Sequence, residues 1–256
     1  MAVRPAEYGR RGVFGVGVPQ ANPTVEQEIG VLRPPGVSVV TARLVSVAPD
    51  TRTRLEDYLR ELGSTLRDFD ALALTAFGFA CTGSSYLCGH AAERETIRRL
   101  EEAAGYPIVT AADAIERALR HLGARRLAIV APYPEWLEKL GVAYWESRGF
   151  SIAAHGRVKL PGTDTRQIYQ LTSDDALDAL RRLPTAGVDA VLFSGTGMPT
   201  LRAVARAAKE LGLLAVSSNL CLAWALQQAV GSKAATNGAG QSTSLLSGWE
   251  PGLDSL

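Results

Sequence analysis

The 256-residue chain has few cysteines and histidines, almost no net charge and no long apolar run. Its three cysteines, Cys81, Cys88 and Cys221, form an odd and sparse set. That fits reduced thiols in a cytoplasmic setting better than a disulfide framework. Cys88 and His90 follow Cys81 in a C-x6-C-x-H pattern. The pattern lacks a fourth ligand and matches no common zinc spacing, so no metal is expected. His90, His121 and His155 do not accompany a G-x-S-x-G nucleophile motif. Basic residues number 27 and acidic ones 26, a net charge of +1. That balance offers no broad field for nucleic acid or an anionic membrane. No apolar run approaches the roughly 20 residues of a membrane span. The opening "MAVRPAEYGRRG" lacks the apolar stretch of a signal peptide. The expected protein is cytoplasmic, with neither nucleic-acid nor membrane partners. A dinucleotide fingerprint is incomplete in both "GVFGVGVP" and "SGTGMP".

Hydrophobic residues make up 46% and charged ones 21%, enough apolar matter for a sizeable core. Short apolar runs alternate with helical periodicities, the pattern of βα units and parallel sheets. Strands are expected at 12–18, 37–44, 71–77, 126–131, 151–158, 190–193 and 214–216. Asn22 can cap a helix with Pro23 at its first position. Leu55, Tyr58, Leu59 and Leu62 fall at helical spacing. Further helices are expected at 93–104, 135–148, 173–183, 201–211 and 222–230, and one opens at Thr110 and closes at Gly123. The chain thus divides into two α/β lobes, 12–115 plus 217–231 and 116–216. Residues 1–11 and 232–256, the latter rich in Gly, Ser, Ala and Thr, are expected to be flexible tails. Apolar helices without an assigned partner make a homodimer plausible. In open α/β sheets ligands gather at the carboxyl ends of the strands, which predicts a site between the lobes.

Two strand-end turns mirror one another. "ACTGSSYLCGH" follows the run from Asp70, and "SGTGMPT" follows the run from Asp189. Small residues and hydroxyls there expose backbone N–H groups to an anion, helped by the positive end of the next helix. The same field would lower the pKa of Cys81. Alone, Cys81 would read as a small buried apolar residue; its polar setting and the mirrored turn make it a candidate site. Cys221 opens an apolar helix and reads as core. Arg43, at the end of the second strand, can hold a carboxylate in a bidentate fork or simply face solvent. Ser217, Ser218 and Asn219 end a further strand near the cleft.

Five motifs in order, "GVGVPQANPTVEQE", "FACTGSSYLCG", "IVAPYPEWLEKL", "FSGTGMPTL" and "AVSSNLCLAW", resemble the aspartate/glutamate racemase superfamily. The closest likeness is to its maleate isomerase and arylmalonate decarboxylase branch. The resemblance implies two pseudo-symmetric Rossmann-like lobes with parallel sheets, an inter-lobe active site, no cofactor and a small carboxylate or dicarboxylate substrate. Cys81 matches the cysteine of the first lobe. The second-lobe cysteine falls on Gly195, since Met198-Pro199-Thr200-Leu201 fixes the register. Two-base racemisation needs an acid/base on each face of the carbon, so it is placed in doubt. The decarboxylases of the branch use one cysteine in the second turn and glycine in the first; this chain resembles their mirror image. By the resemblance, Thr82, Ser85 and Tyr133 hold a carboxylate, the Gly195 and Thr196 amides complete a dioxyanion hole, and Asn22 holds substrate. The leading expectation is cofactor-independent decarboxylation of a substituted malonate, Cys81 protonating an enediolate from the opposite face. The alternatives are a maleate cis-trans isomerase or an Asp/Glu-racemase-like isomerase acting on a small dicarboxylate, and a non-catalytic carboxylate-binding protein.

Overall fold

In the computed structural model of the chain, the described residues are 7–160, 162, 164–231, 245–246 and 248–256. The elements run β1 (Gly12–Pro19), α1 (Thr24–Leu32), β2 (Val37–Leu44), α2 (Thr51–Arg60), α3 (Leu62–Arg67), β3 (Ala76–Phe79), α4 (Thr82–Cys88), α5 (His90–Ala104), β4 (Ile108–Thr110) and α6 (Ala111–His121). They continue with β5 (Arg126–Ala131), α7 (Glu135–Ser147), β6 (Ser151–Arg157), α8 (Ser173–Arg181), β7 (Ala190–Phe193), α9 (Leu201–Leu211), β8 (Ala215–Ser217) and α10 (Ser218–Gly231). Short 3-10 turns occupy Thr165–Gln170 and Glu250–Ser255.

Two four-stranded sheets share one order, β2-β1-β3-β4 and β6-β5-β7-β8, and every pairing is parallel. The central strands β3 (AFGF) and β7 (AVLF) are buried along their whole length, as parallel strands covered on both faces must be. Gly17 aligns with Phe79 and Val130 with Phe193, so the central strands of each sheet end side by side. Cys81 and Gly195 each stand two residues beyond such an end. The two sheets therefore deliver the mirrored turns in equivalent positions. No helix among the described residues is long and apolar enough to cross a membrane.

Several boundaries differ from the sequence reading. The third strand is not 71–77 but Ala76–Phe79; the chain before it turns through Asp70 at φ 43°. The short β4 had no separate periodic signal. Helix α4 begins directly at Thr82, so Cys81 heads a helix, and α5 starts at His90 rather than Glu93. The expected lobe boundary at 115/116 falls inside α6, whose Ala114, Ile115, Ala118 and Leu119 are buried in a single packed face. Helix α10 lies along α6 and α1 and over β3, where Leu222 and Leu226 close on the bare Cα of Gly78. The last residues, expected to be flexible, instead form the turn Glu250–Ser255 against α1 and α9. Trp249 is buried there, and Arg202 donates to the carbonyls of Leu253 and Leu256. Of the expected tails, 1–6, 232–244 and 247 lie outside the described residues. Arg11, placed in the first tail, is tied to Gly36 and Pro35.

Candidate active site

A pocket opens between the carboxyl ends of the two sheets. Asn22, Cys81 and Thr82 line it from the first lobe, and Tyr133, Gly195 and Thr196 from the second. Six of the eight residues expected from the sequence therefore share one cavity.

Cys81 is buried, with extended backbone at the head of α4. Burial pushes its thiol up from the ordinary range; the Ser84 hydroxyl and the Ser84 and Gly83 amides pull it back in part, and Glu93 raises it further. The expectation of a lowered thiol pKa is overturned: two helical turns of dipole do not offset the loss of hydration on burial.

Hydroxyls stitch the lobes together around the sulfur. Tyr133 Oη donates to Thr82 Oγ1 at 3.2 Å, and Thr82 Oγ1 stands 3.4 Å from Ser218 Oγ. Ser218 Oγ accepts from the Gly195 amide at 3.0 Å. Thr196 Oγ1 donates to Ala80 O at 2.8 Å, and Thr24 Oγ1 to Gly197 O at 2.8 Å. Asn22 has two duties. Its Oδ1 caps α1 by accepting from the Thr24 and Val25 amides, while its Nδ2 faces Thr196 Oγ1 at 3.5 Å. Burial and the neighbouring Tyr86 hold the Tyr133 phenol well above its ordinary pKa, so it remains a donor.

Two expected residues are turned elsewhere. Ser85 Oγ donates to Glu93 Oε1 at 2.6 Å, away from the pocket, because three residues along α4 from Thr82 its hydroxyl meets a buried carboxylate of α5. Arg43 grips both oxygens of Glu26 at 3.0 and 2.8 Å, outside the pocket lining. The cations that do line the pocket are Arg54 and Arg166, together with Tyr58 and Tyr169. The Arg54 side chain is only 3% exposed and meets Asp164 at 2.8 Å; Arg166 holds the other oxygen of Asp164. Arg54 had a partial signal, since it shares the helical face of Leu55 and Tyr58. Residues 165–169 follow no periodic pattern and carried none.

Sequence reasoning also missed Glu28. This fully buried carboxylate of α1 accepts from the Thr200 and Leu201 amides and from Asn219 Nδ2, capping α9 across the lobe boundary. Asn219 Nδ2 also reaches Thr196 O at 3.0 Å, and its Oδ1 is buried without a partner. Ser217 accepts from the Leu220 amide within α10. Cys88 is exposed and Cys221 buried, and all three cysteines are free. Among the described residues no group of three His, Cys, Asp or Glu could hold a metal ion.

The arrangement offers one sulfur, on one side of any bound carbon, facing a turn of amides and hydroxyls. No titratable side chain occupies Gly195, the mirror position of Cys81. Such a site can attack a carbon or exchange one proton with it, and can spread negative charge over fixed donors.

A family model described as arylmalonate decarboxylase matches residues 14–243. A maleate isomerase of Pseudomonas putida is 26% identical over 249 residues, 92% of this chain and 97% of that protein. A cysteine-to-serine variant of the Nocardia farcinica maleate cis-trans isomerase, solved with a covalently bound succinylcysteine intermediate, superposes with a TM-score of 0.76. It is 25% identical and covers 86% of this chain and 92% of its own. The crystal structure of arylmalonate decarboxylase has the same fold: TM-score 0.71, 20% identity, 90% and 96% coverage.

Proposed function

The chain belongs to the arylmalonate decarboxylase family, a family of enzymes, and from that premise we propose that it isomerises a small cis-dicarboxylate through covalent catalysis by Cys81. The observation that carries this reading is the polar and cationic lining of the pocket around Cys81. Thr82 and Tyr133 stand beside the sulfur, and Arg54, Tyr58 and Arg166 line the same cavity. Arg54 and Arg166 share one carboxylate, Asp164, so the pair retains a positive charge that a second substrate carboxylate would meet and an aryl group would not. The relatives named maleate isomerase and the succinylcysteine carried by one of them support it.

The step balances with a single thiol that has first released its proton to solvent. The Cys81 thiolate forms an S–C bond to one alkene carbon, and the π pair moves to the other, delocalised into its carboxylate. Thr82 and Tyr133 donate to those oxygens. The former double bond rotates as a single bond. The pair then returns, the S–C bond breaks, and the trans isomer leaves with the thiolate restored. No acid on the Gly195 side is required.

A second reading is decarboxylation of a substituted malonate, favoured by the thiol that burial keeps protonated and by glycine at position 195. There the C–C bond to the departing carboxylate breaks, its pair enters an enediolate, and the Cys81 proton passes to carbon. Incubation with maleate, phenylmalonate, and aspartate or glutamate in deuterated water, followed by NMR, distinguishes them. Fumarate is the expected product. Carbon dioxide would favour the second reading, and α-deuteration alone would sink both. Tight binding without turnover, unaffected by Cys81→Ala, would make the chain a carboxylate-binding protein.

A further inference from the structure

Ser84 Oγ lies 2.7 Å from the Leu55 carbonyl oxygen and 3.2 Å from Cys81 Sγ. A hydroxyl has one proton to donate and two lone pairs to accept with, so it cannot donate to both neighbours at once. We infer that Ser84 is a positioning residue that changes hydrogen-bond partner with the protonation state of Cys81. With the thiol present, the Ser84 proton lies on Leu55 O and Ser84 Oγ accepts from S–H. With the thiolate present, the hydroxyl turns through one torsion and donates to sulfur.

The switch is cheap on the carbonyl side. Leu55 lies within α2, where its carbonyl also accepts the amide four residues on. Releasing the Ser84 proton leaves that oxygen its helical bond. The sulfur side has no comparable substitute, because the other hydrogen bonds to Cys81 come from the fixed amides of Gly83 and Ser84. Ser84 is buried, so water does not take its place readily. A sulfur alternating between charged and neutral forms thereby keeps a partner in each.

The titratable groups facing the sulfur are Tyr58 from α2, Glu93 from α5, Tyr133 after β5 and Tyr169 before α8. Arg54, Arg166 and Asp164 lie beyond Tyr58. None is altered by substitution at Ser84, so a comparison of variants isolates the hydroxyl. The inference rests on Cys81 as the reacting group, but its test does not use turnover. The rate of Cys81 alkylation by iodoacetamide is followed against pH in a Cys88→Ser background, with modification assigned by mass spectrometry.

Ser84→Ala is expected to shift the alkylation profile to higher pH and slow the reaction below the midpoint about tenfold, the scale of a hydrogen bond to a charged group. Ser84→Thr, which keeps the hydroxyl, is expected to restore most of the rate. An unmoved profile in a Ser84→Ala protein with native circular dichroism would overturn the inference. If Ser84→Ala does not fold, the infrared S–H stretch of Cys81 in the Cys88→Ser protein decides: a band lowered by donation to Ser84 Oγ is expected, and a free-thiol frequency would overturn the inference. A shifted profile together with full turnover in Cys81→Ala would leave the switch standing and remove the functional reading.

Discussion

Tyr133 from the second lobe donates to Thr82 Oγ1 of the first at 3.2 Å, beside Cys81, so the donor pair exists only while the lobes are docked. Tyr133 meets the ring of Tyr86 edge-on at 6.1 Å, and Tyr86 is itself held by Trp145 Nε1 and Ser194 Oγ. The phenol is therefore aimed by packing before substrate arrives. Preset donors of this kind act where charge develops. Tyr133→Phe is expected to lower kcat by about 10²–10³-fold with a smaller change in KM. Steady-state kinetics with melting as a control for folding checks it.

The pH profile distinguishes the two chemistries by sign. Burial holds the Cys81 thiol above its ordinary range. Covalent addition needs the thiolate, so kcat/KM should rise with pH and level off only above the ordinary thiol pKa. Proton donation needs S–H, so decarboxylation would be flat at neutral pH and fall through the same value. The slope of log kcat/KM through the alkaline range is the measurement. A rising limb supports isomerisation, and a falling one supports decarboxylation.

Much of this was legible in the sequence for a physical reason. Parallel strands covered on both faces leave short apolar runs, and the turns that follow them cannot be apolar. Hence β1, β2, β5 and β7 and the two mirrored turns that carry Cys81, Thr82, Gly195 and Thr196 could be read directly, whereas Tyr133 came only with the family resemblance. Ser85 and Arg43 could not be assigned correctly, because their partners, Glu93 and Glu26, come from other elements. A hydroxyl near a cysteine in sequence can point either way along a helix, and only the packing of α5 onto α4 decides it. Arg54 was hidden in a stripe that reads as core. Glu28 was invisible because its purpose, capping α9 from α1, depends on contacts over more than 170 positions.

Glu28 links stability to pH. Burial raises its carboxyl pKa above 4.5, while Thr200, Asn219 and Leu201 offset part of the shift. A raised folded-state pKa means that the folded protein binds the proton more tightly than the unfolded chain. The corresponding stability is present below the ordinary carboxylate pKa and is lost as pH rises through the raised value. Glu28→Gln cannot ionise. The wild-type Tm minus the variant Tm should therefore decrease as pH rises from acid towards neutrality. A difference that stays constant with pH would mean that Glu28 does not titrate differently in the folded state.

Arg54 and Asp164 should act on substrate affinity in opposite directions. Asp164 bridges Arg54 and Arg166, leaving one net positive charge at the pocket lining. Arg54→Met reduces that charge, and KM for a dicarboxylate is expected to rise about tenfold or more with less effect on kcat. Asp164→Asn removes the competing anion, so KM should fall or stay level. Equal losses in both variants would indicate that the cluster only clamps the chain before α8 to α2.

Restoring a second sulfur opposite the first should fail. Gly195 adopts φ 119°, a conformation that L residues rarely occupy. A Cβ there would lie 3.2 Å from Pro132 Cδ and 3.4 Å from the Tyr133 hydroxyl. Gly195→Cys must therefore strain or distort the turn against Pro132. The backbone strain alone is worth about 1–3 kcal/mol. The variant should melt lower, lose turnover through the distorted turn, whose Gly195 amide is held on Ser218 Oγ, and gain no racemase activity. Gly195→Ala controls for strain without a thiol and should lose a comparable amount of both. Faster turnover or exchange at a substrate α-carbon in Gly195→Cys, with an unchanged Tm, would mean that the turn accommodates the thiol and that one-sided chemistry is not built into this backbone.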